Sequence, residues 1–492
     1  MKTKILFFIA ALALITAACS NDDFDIQQPA KAEGIPFSAT ISVDKSPSTR
    51  ALAEDGSTIV ATWADGEKVA LIYSVSATPY MTEATVTALG DGTAAISAIL
   101  ESGATDGSDV TIIYPASAAD GTTGNVKSDM LAAQDGTLTG TSGTSIAEKY
   151  DVRKGTGKLS ISGGQATVNN GTAGTPVTLI NQNAIFKLTL KDIEGTADVS
   201  AASLAIIDET GATLTTVTPA SGCDKVMYVA LPTTATTLKF SVTGTDSKKY
   251  FNMASGLTLG AKYYQSTIKL ATVGDVMLAS GKCAKAGTTG AVAIIAYLGD
   301  GDDNTTYNCG LAIALTNVSS SKCAWSNNSS ENAGVSSSST MTGLKSFLNG
   351  IADTETLDTK YNGNAATKAK NYQTTVAAPT GTSGWFLPSS GQWLKFFEAA
   401  GMNLARWTSP GWAPAPSGGT GSDNLTKVKT FMEAAVAGSS DNLQGPLWSS
   451  SEYGTANAVG VQFGSNANYG VFLGRSSWKD NSWAFVRSFL AF

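Results

Sequence analysis

Histidine is absent from all 492 residues. That removes every Ser-His-Asp or Cys-His catalytic arrangement, and every histidine-ligated metal site, in one stroke. Charge is scarce as well: Asp, Glu, Lys and Arg make up 15% of the chain, and the formal net charge is −7 with no basic cluster to set against it. Such a balance argues against nucleic acid as a partner. Cysteine occurs five times, too thinly for a disulfide-framed fold. Helix-period segments are missing from the first 270 residues, where short alternating runs stand between glycine-bearing turns.

What is present starts with an apolar run over residues 5–18, behind Lys2 and Lys4 and ending at Ala17, Ala18 and Cys19. A charged start and an apolar middle mark a secretory signal peptide over 1–18, and the run is short for a permanent membrane span. Cysteine directly after the alanines resembles the lipobox of bacterial lipoproteins, with Thr16 where the commonest form has Leu. The resemblance implies that Cys19 becomes the lipidated (palmitate-bearing) first residue of the mature chain. The alternative is an ordinary signal with a chance cysteine. The following "SNDDFD" resembles the export tag of lipoproteins carried to the outer face of the outer membrane in gut and oral anaerobic Gram-negative bacteria. As a charged segment low in apolar residues, 19–32 also reads as a solvated tether.

"IPFSATISV" alternates Phe37, Ala39, Ile41 and Val43 on one face, the period of a half-buried strand. "DKSPSTRALAEDGS" after it is polar and turn-rich. Strand signals then recur at short spacing, in "KVALIYS", "AAISAIL", "DVTIIYP", "IFKLTLKD", "ASLAIID", "VMYVALP", "TLKFSVTG" and "YYQSTIKL". Many short strands punctuated by turns predict an all-β sandwich. Pro115 and Pro232 each follow a strand, where a missing N–H does no harm. The order of "TWADGEKVALIYS", "DVTIIYPA", "NAIFKLTLKD", "VALPTTATTLKFSVTG" and "GLTLGAKYYQSTIKL" resembles the landmarks of the fimbrillin family of lipoprotein-derived pilus subunits, over residues 33–271. That resemblance implies other pilus subunits as partners and a maturation cut after Arg50 that leaves Ala51 as the new start. Loss of the first strand would open a groove for a strand from a neighbour. The plain alternative is an exposed arginine in a polar loop.

From residue 274 the character changes. Eight of the nine tryptophans lie beyond it, with the clearest helices of the chain. "SSGQWLKFFEAAG" puts Trp393, Phe396, Phe397 and Ala400 on one face behind a serine cap, and "NLTKVKTFMEAAVAG" does the same with Val428, Phe431, Met432 and Ala435. A shorter helix is expected at "MTGLKSFLNGI". Strands interleave, so 274–492 reads as an α+β domain. "GWFLPSSGQWLKFFEA", "LWSSSEYG", "AVGVQF" and "AFVRSFLAF" resemble a C-type-lectin-like module over 375–492, with Trp385 and Trp448 as core anchors. The expected fold is therefore mainly β: a Greek-key-like sandwich followed by a lectin-like α+β domain.

Chemistry is thin. Asp300 and Asp302 in "LGDGDDNTTYN" are oxygen ligands of the kind calcium prefers, but the EF-hand glycine and glutamate are missing, and a solvated hairpin tip fits as well. Ser319 with Lys322 and the later Ser-Asp-Asn strings imitate a serine hydrolase without its Lys-Thr-Gly element. "GTGKLS" has Leu159 where a phosphate loop needs Ser or Thr. No enzyme and no cofactor are expected. Cys283, Cys309 and Cys323 lie within one stretch, so a disulfide there and separate buried thiols are both open.

The better candidates are for binding. "NANYGVFLGRSSWKDNSWAF" gathers Tyr469, Arg475, Trp478, Lys479, Asp480 and Asn481 around a polar connection, and "ARWTSPGWAPAPSGG" offers Trp407 and Trp412 on a second loop. Aromatic faces beside amides and carboxylates suit carbohydrate; surface aromatics covering a small core are the bland alternative. The reading that results is a surface lipoprotein of the fimbrillin type, seated at the fimbrium tip and binding a host or microbial surface ligand through 274–492. The alternative is an outer-membrane glycan-binding lipoprotein that never polymerises.

Overall fold

The computed structural model describes residues 34–492 apart from 44–52, 56–57, 61–62, 91, 141–142, 173, 441–442, 444–445 and 467–468. Cys19, Arg50 and Ala51 therefore lie outside the described residues. The fold is mainly β, with an α+β C-terminal part.

Eight strands make the first sheet: β1 (Ile35–Val43), β2 (Lys68–Val75), β3 (Thr78–Gly90), β4 (Thr93–Leu100), β5 (Asp109–Tyr114), β6 (Arg153–Ser162), β7 (Gln165–Asn169) and β8 (Val177–Asn181). β1 pairs antiparallel with β4 on one side and parallel with β7 and then β8 on the other, and both of those pair with β6. The sheet thus closes on itself, which removes free edges. Alternation sends Phe37, Ala39 and Ile41 inward against Leu71, Ile96, Ile112 and Leu179. The phosphate-loop lookalike lies on β6. A Cβ on its Gly155 or Gly157 would meet Thr178 O at 2.6 Å or Asn169 O at 2.5 Å, so these glycines serve close strand approach.

The β-rich stretch holds a second core. β9 (Asn183–Asp192), β12 (Val226–Pro232) and β15 (Tyr263–Leu270) form one sheet. β10 (Ala201–Ile207), β11 (Thr213–Val217), β13 (Leu238–Gly244) and β14 (Lys249–Ala254) belong to another, and Leu188, Leu204, Val229, Phe240 and Ile268 pack in one core. Ala133–Gln134, from the connection between β5 and β6, adds a short strand beside β11. The Gln134 amide donates to Ala230 O at 2.8 Å and accepts from Ala230 N at 2.9 Å, tying together the two sheets of the second core.

Among the described residues, the C-terminal part has two sheets and five α-helices. Strands β16 (Val276–Leu278), β17 (Ala291–Leu298) and β18 (Gly310–Ala314) pair onward to the last strand, β23 (Phe489–Ala491). A second sheet holds β19 (Gly411–Trp412), β20 (Leu447–Gly454), β21 (Asn457–Asn466) and β22 (Tyr469–Trp478). The helices are α1 (Met341–Ser346), α2 (Gly350–Lys360), α3 (Ala365–Asn371), α4 (Ser390–Ala399) and α5 (Gly421–Ala435). A Ser389–Gln392 capping box starts α4, which buries Trp393, Phe396 and Phe397; the Trp393 ring lies 5.0 Å from that of Phe489. α5 begins earlier than its apolar pattern, because Thr420 and Asp423 form a capping box of their own.

A shared core welds this part to the second one. Ile207, Phe251 and Met253 pack with Met277, Leu490 and Phe492, and the Phe251 and Phe492 rings are 4.5 Å apart. Cys283 and Cys309 line the same cluster, while Cys323 belongs to another. No disulfide joins them. Cys309 turns its thiol toward Asn308 Oδ1 at 3.6 Å, and all three, with Cys223, are free thiols. Burial pushes the Cys283 thiol up to about 12 and that of Cys309 to about 11. Inert buried thiols are the result.

Candidate functional site

β22 ends at Trp478, and the next residues turn sharply: Lys479 N donates to Ala456 O at 3.2 Å and Asn481 N to Trp478 O at 3.1 Å. Side chains separate at this turn. The Trp478 ring is 54% exposed, and Asp480 and Asn481 also face solvent. Lys479 alone goes inward and is fully buried. Its ammonium pairs with the equally buried Glu452 of β20, donates to Glu331 O at 2.9 Å, and lies 5.2 Å from the centre of the Trp325 ring. Glu452 also accepts from Ala333 N at 2.8 Å.

The same lysine fastens a second segment. Trp325 N and Ser326 N both donate to Lys479 O, at 2.8 and 2.9 Å. Residues 327–332 are thereby held beside the 478–481 turn, with Asn327, Asn328, Glu331 and Asn332 exposed. The Asn328 amide donates to Glu331 Oε2 at 3.2 Å, and Lys360 pairs with Glu331 at 2.6 Å. The outcome is an exposed indole on a turn that also carries Asp480 and Asn481, with an amide-bearing segment held next to that turn through a buried ion pair. An indole stacks on the C–H face of a pyranose, while amides and carboxylates take its hydroxyls.

The structure brings together only part of the set expected from sequence. Trp478, Asp480 and Asn481 share the turn, and Arg475 is exposed three residues earlier on the same strand. Tyr469 begins that strand, about 30 Å away at ~3.3 Å per residue. Trp412 belongs to that far end: it pairs with Phe472, ring centres 5.4 Å apart, and is half-buried. Trp407 is not a surface residue at all. The short turn Leu404–Arg406 folds it back to 1% exposure, its ring 6.4 Å from that of Phe397. Glu452 and the 327–332 segment were missed; the asparagine- and serine-rich run after Trp325 was the signal available.

Asp300 is exposed, but Asp302 is 2% exposed and lies on no solvated tip. Its oxygens accept from Asn304 N (3.0 Å), Ile351 N (3.3 Å) and the Gln392 amide (2.7 Å), capping α2 and tying it to α4. Those bonds give the Asp302 carboxylate a structural role, with three of its four lone-pair positions taken. Among the described residues, no group of three or more Cys, Asp or Glu is placed to hold a metal.

Asp353 on α2 is buried nearby, accepting from Ser336 N, Asn349 Nδ2 and Ser450 Oγ at 3.2–3.3 Å. Burial pushes its carboxyl up to about 7, with the Asp302 charge adding to the shift, and burial pushes Asp302 up to about 6. Raised values mean the folded state holds these protons more tightly than the unfolded chain. Stability from this source is therefore full below the unfolded value of 3.8 and is lost progressively as pH rises from there through about 6 and about 7. Asp353→Asn is expected to cut the fall in urea midpoint across that window by roughly half, since two carboxyls share it. Equal slopes in both proteins would contradict the assignment.

A second feature concerns β1. It pairs with β4 without a break from Ile35↔Leu100 to Ser42↔Thr93. Its other edge meets β7 only at Phe37↔Ala166 and β8 only from Ile41↔Val177 onward. Ser38, Ala39 and Thr40 border a cavity of about 320 Å³ at that change of partner. β1 is thus a full core strand, zipped on one side and loosely closed on the other.

No family model matches the chain, and no curated protein matches it. Among solved structures it is similar to a fimbrial protein from Bacteroides ovatus, at 15% identity over 94% of this chain and 99% of that one, with a TM-score of 0.33. A candidate cell adhesion protein from Bacteroides fragilis is similar at 14% identity over 48% of this chain and 94% of its own, with a TM-score of 0.28. Another, from Bacteroides uniformis, is similar at 13% identity over 49% and 94%, also with a TM-score of 0.28. No described helix is long and apolar enough to cross a membrane.

Proposed function

We propose that this protein is a surface adhesin subunit of a pilus, exported as a lipoprotein on Cys19 and matured by a cut after Arg50. The observation that carries this reading is the position of β1. One cut downstream of Val43 separates it from the rest of the chain, and its departure would uncover the β4 edge and the core contacts of Phe37 and Ile41. A strand from a neighbouring subunit is the natural filling for such a groove. The other end of the chain supports a terminal position. β23 pairs with β18, and Phe489 and Phe492 are fully buried, so this strand is held in its own core and is not available for donation. A subunit that accepts a strand and donates none belongs at the tip, with the lectin-like C-terminal part outward.

The ligand surface in this reading is the Trp478 turn with its amide rim, and the ligand class is carbohydrate. Trp478→Ala removes an exposed ring, so the urea midpoint should stay where it is while affinity for the best ligand on a glycan array falls about five- to thirtyfold, on the scale of ~1–2 kcal/mol for an aromatic platform. A variant that binds as well as the parent would eliminate this surface. The second reading, a glycan-binding lipoprotein that never polymerises, draws on the completeness of the closed sheet with β1 in place.

A further inference from the structure

A cleft of about 340 Å³ opens at the seam between the second β core and the C-terminal part. Lys248 and Lys249, at the turn into β14, form one wall; Lys395 and Glu398 of α4 form the other; Val273 and Tyr297 lie between them. The charges do not cancel. Lys248 has a carboxylate beside it, Asp246 at 3.2 Å. Lys249 Nζ donates to Thr243 Oγ1, at 2.7 Å. Lys395 Nζ lies 4.6 Å from the Tyr297 ring centre and 3.4 Å from its hydroxyl. Neither of these two ammonium groups has a carboxylate partner among the described residues, on a chain whose net charge is −7.

The backbone between the walls is fixed before anything binds. Thr272 N donates to Asp275 Oδ2 at 2.8 Å, Asp275 N returns to Thr272 O at 3.1 Å, and Gly274 N donates to Ile295 O at 3.0 Å. The connection carrying Val273 is therefore pinned to β17, and the shared core around Phe251 and Phe492 holds the two parts together beneath it. A cleft at a seam, with an apolar floor and two lining lysines that lack carboxylate partners among the described residues, has the form of a small-ligand site.

We infer that this cleft binds a carboxylate-bearing sugar. Its volume suits one or two pyranose rings. The apolar floor takes the ring's C–H face, and the carboxylate lies between Lys249 and Lys395, where charge-assisted hydrogen bonds are strongest. A small inorganic anion would satisfy the lysines but leave the floor of Val273 and Tyr297 uncovered. The site involves none of the elements of the Trp478 turn, so it stands or falls independently of that surface.

Calorimetric titration of the full chain with trigalacturonic acid tests this, with maltotriose as the neutral probe and inorganic phosphate as the bare anion. Saturable binding of the acid trimer is expected, weakening at high salt, with no binding of maltotriose. Lys249→Ala and Lys395→Ala should each weaken it about tenfold, and Glu398→Gln, which removes the one carboxylate on the walls, should tighten it about two- to threefold. Trp478→Ala should leave it unchanged. Absence of binding, equal binding of maltotriose, full competition by phosphate at equal concentration, or an unchanged affinity in Lys395→Ala would each overturn the inference.

Discussion

Deletion of residues 489–492 is expected to unfold the C-terminal part rather than loosen it. All four side chains are fully buried, and Phe489 faces Trp393 and Phe396 at ring distances of 5.0 and 6.2 Å. Truncating a buried Phe to Ala costs ~3–5 kcal/mol, so the two phenylalanines alone account for ~6–10 kcal/mol, against a typical stability of ~5–15 kcal/mol. The loss should reach beyond the C-terminal part, because Phe492 packs on Phe251 of the second core. Hydrogen exchange of the truncated chain should therefore show β14 deprotected along with β17 and β18, while the closed sheet keeps its protection. A truncated chain with native exchange in β17 and β18 would mean that the last strand is dispensable, and the case for a non-donating subunit would go with it.

Lys479→Met is the second large effect. Both members of the Lys479–Glu452 pair are fully buried, so losing the lysine leaves a carboxylate in the interior with its countercharge gone. Breaking a buried pair from one side costs ~3–5 kcal/mol, whereas replacing both members by uncharged groups is far milder. The double variant Lys479→Met with Glu452→Gln should accordingly recover most of the lost stability. The single variant should also loosen the 327–332 segment, since it loses the bond to Glu331 O while the two to Lys479 O remain. A midpoint within about 1 kcal/mol of the parent would show that the pair is solvated after all.

What the sequence revealed, and what it hid, follows from where the side chains had to go. "DVTIIYP", "VMYVALP" and "YYQSTIKL" alternate cleanly and carry β-branched residues, and each is a strand. β6 escaped notice because Gly155 and Gly157 lower strand propensity, although close approach of β7 and β8 demands them. α2 and α3 were missed because "GIADTETLDTK" and "AATKAKN" show no strong apolar stripe; buried Asp353, Thr354 and small alanines do their packing. Trp407 looked exposed because Pro and Gly surround it, yet the C-terminal core needed its ring. At the candidate site, Trp478 and its polar neighbours were legible as a group. That Lys479 alone turns inward was not, because its partner Glu452 is 27 residues away and only the pairing of β20, β21 and β22 brings the two together.

In the function proposed above, the assembled protein has lost β1 and occupies the end of a fibre. Quantitative mass spectrometry of sheared, purified fibres addresses both halves at once. The account predicts a mature chain beginning at Ala51, no peptide from residues 19–50, and an amount far below that of the main shaft subunit, while chains retained in the membrane begin at an acylated Cys19. Fibres that contain the intact "IPFSATISV" strand, or in which this chain is the main component, would contradict it.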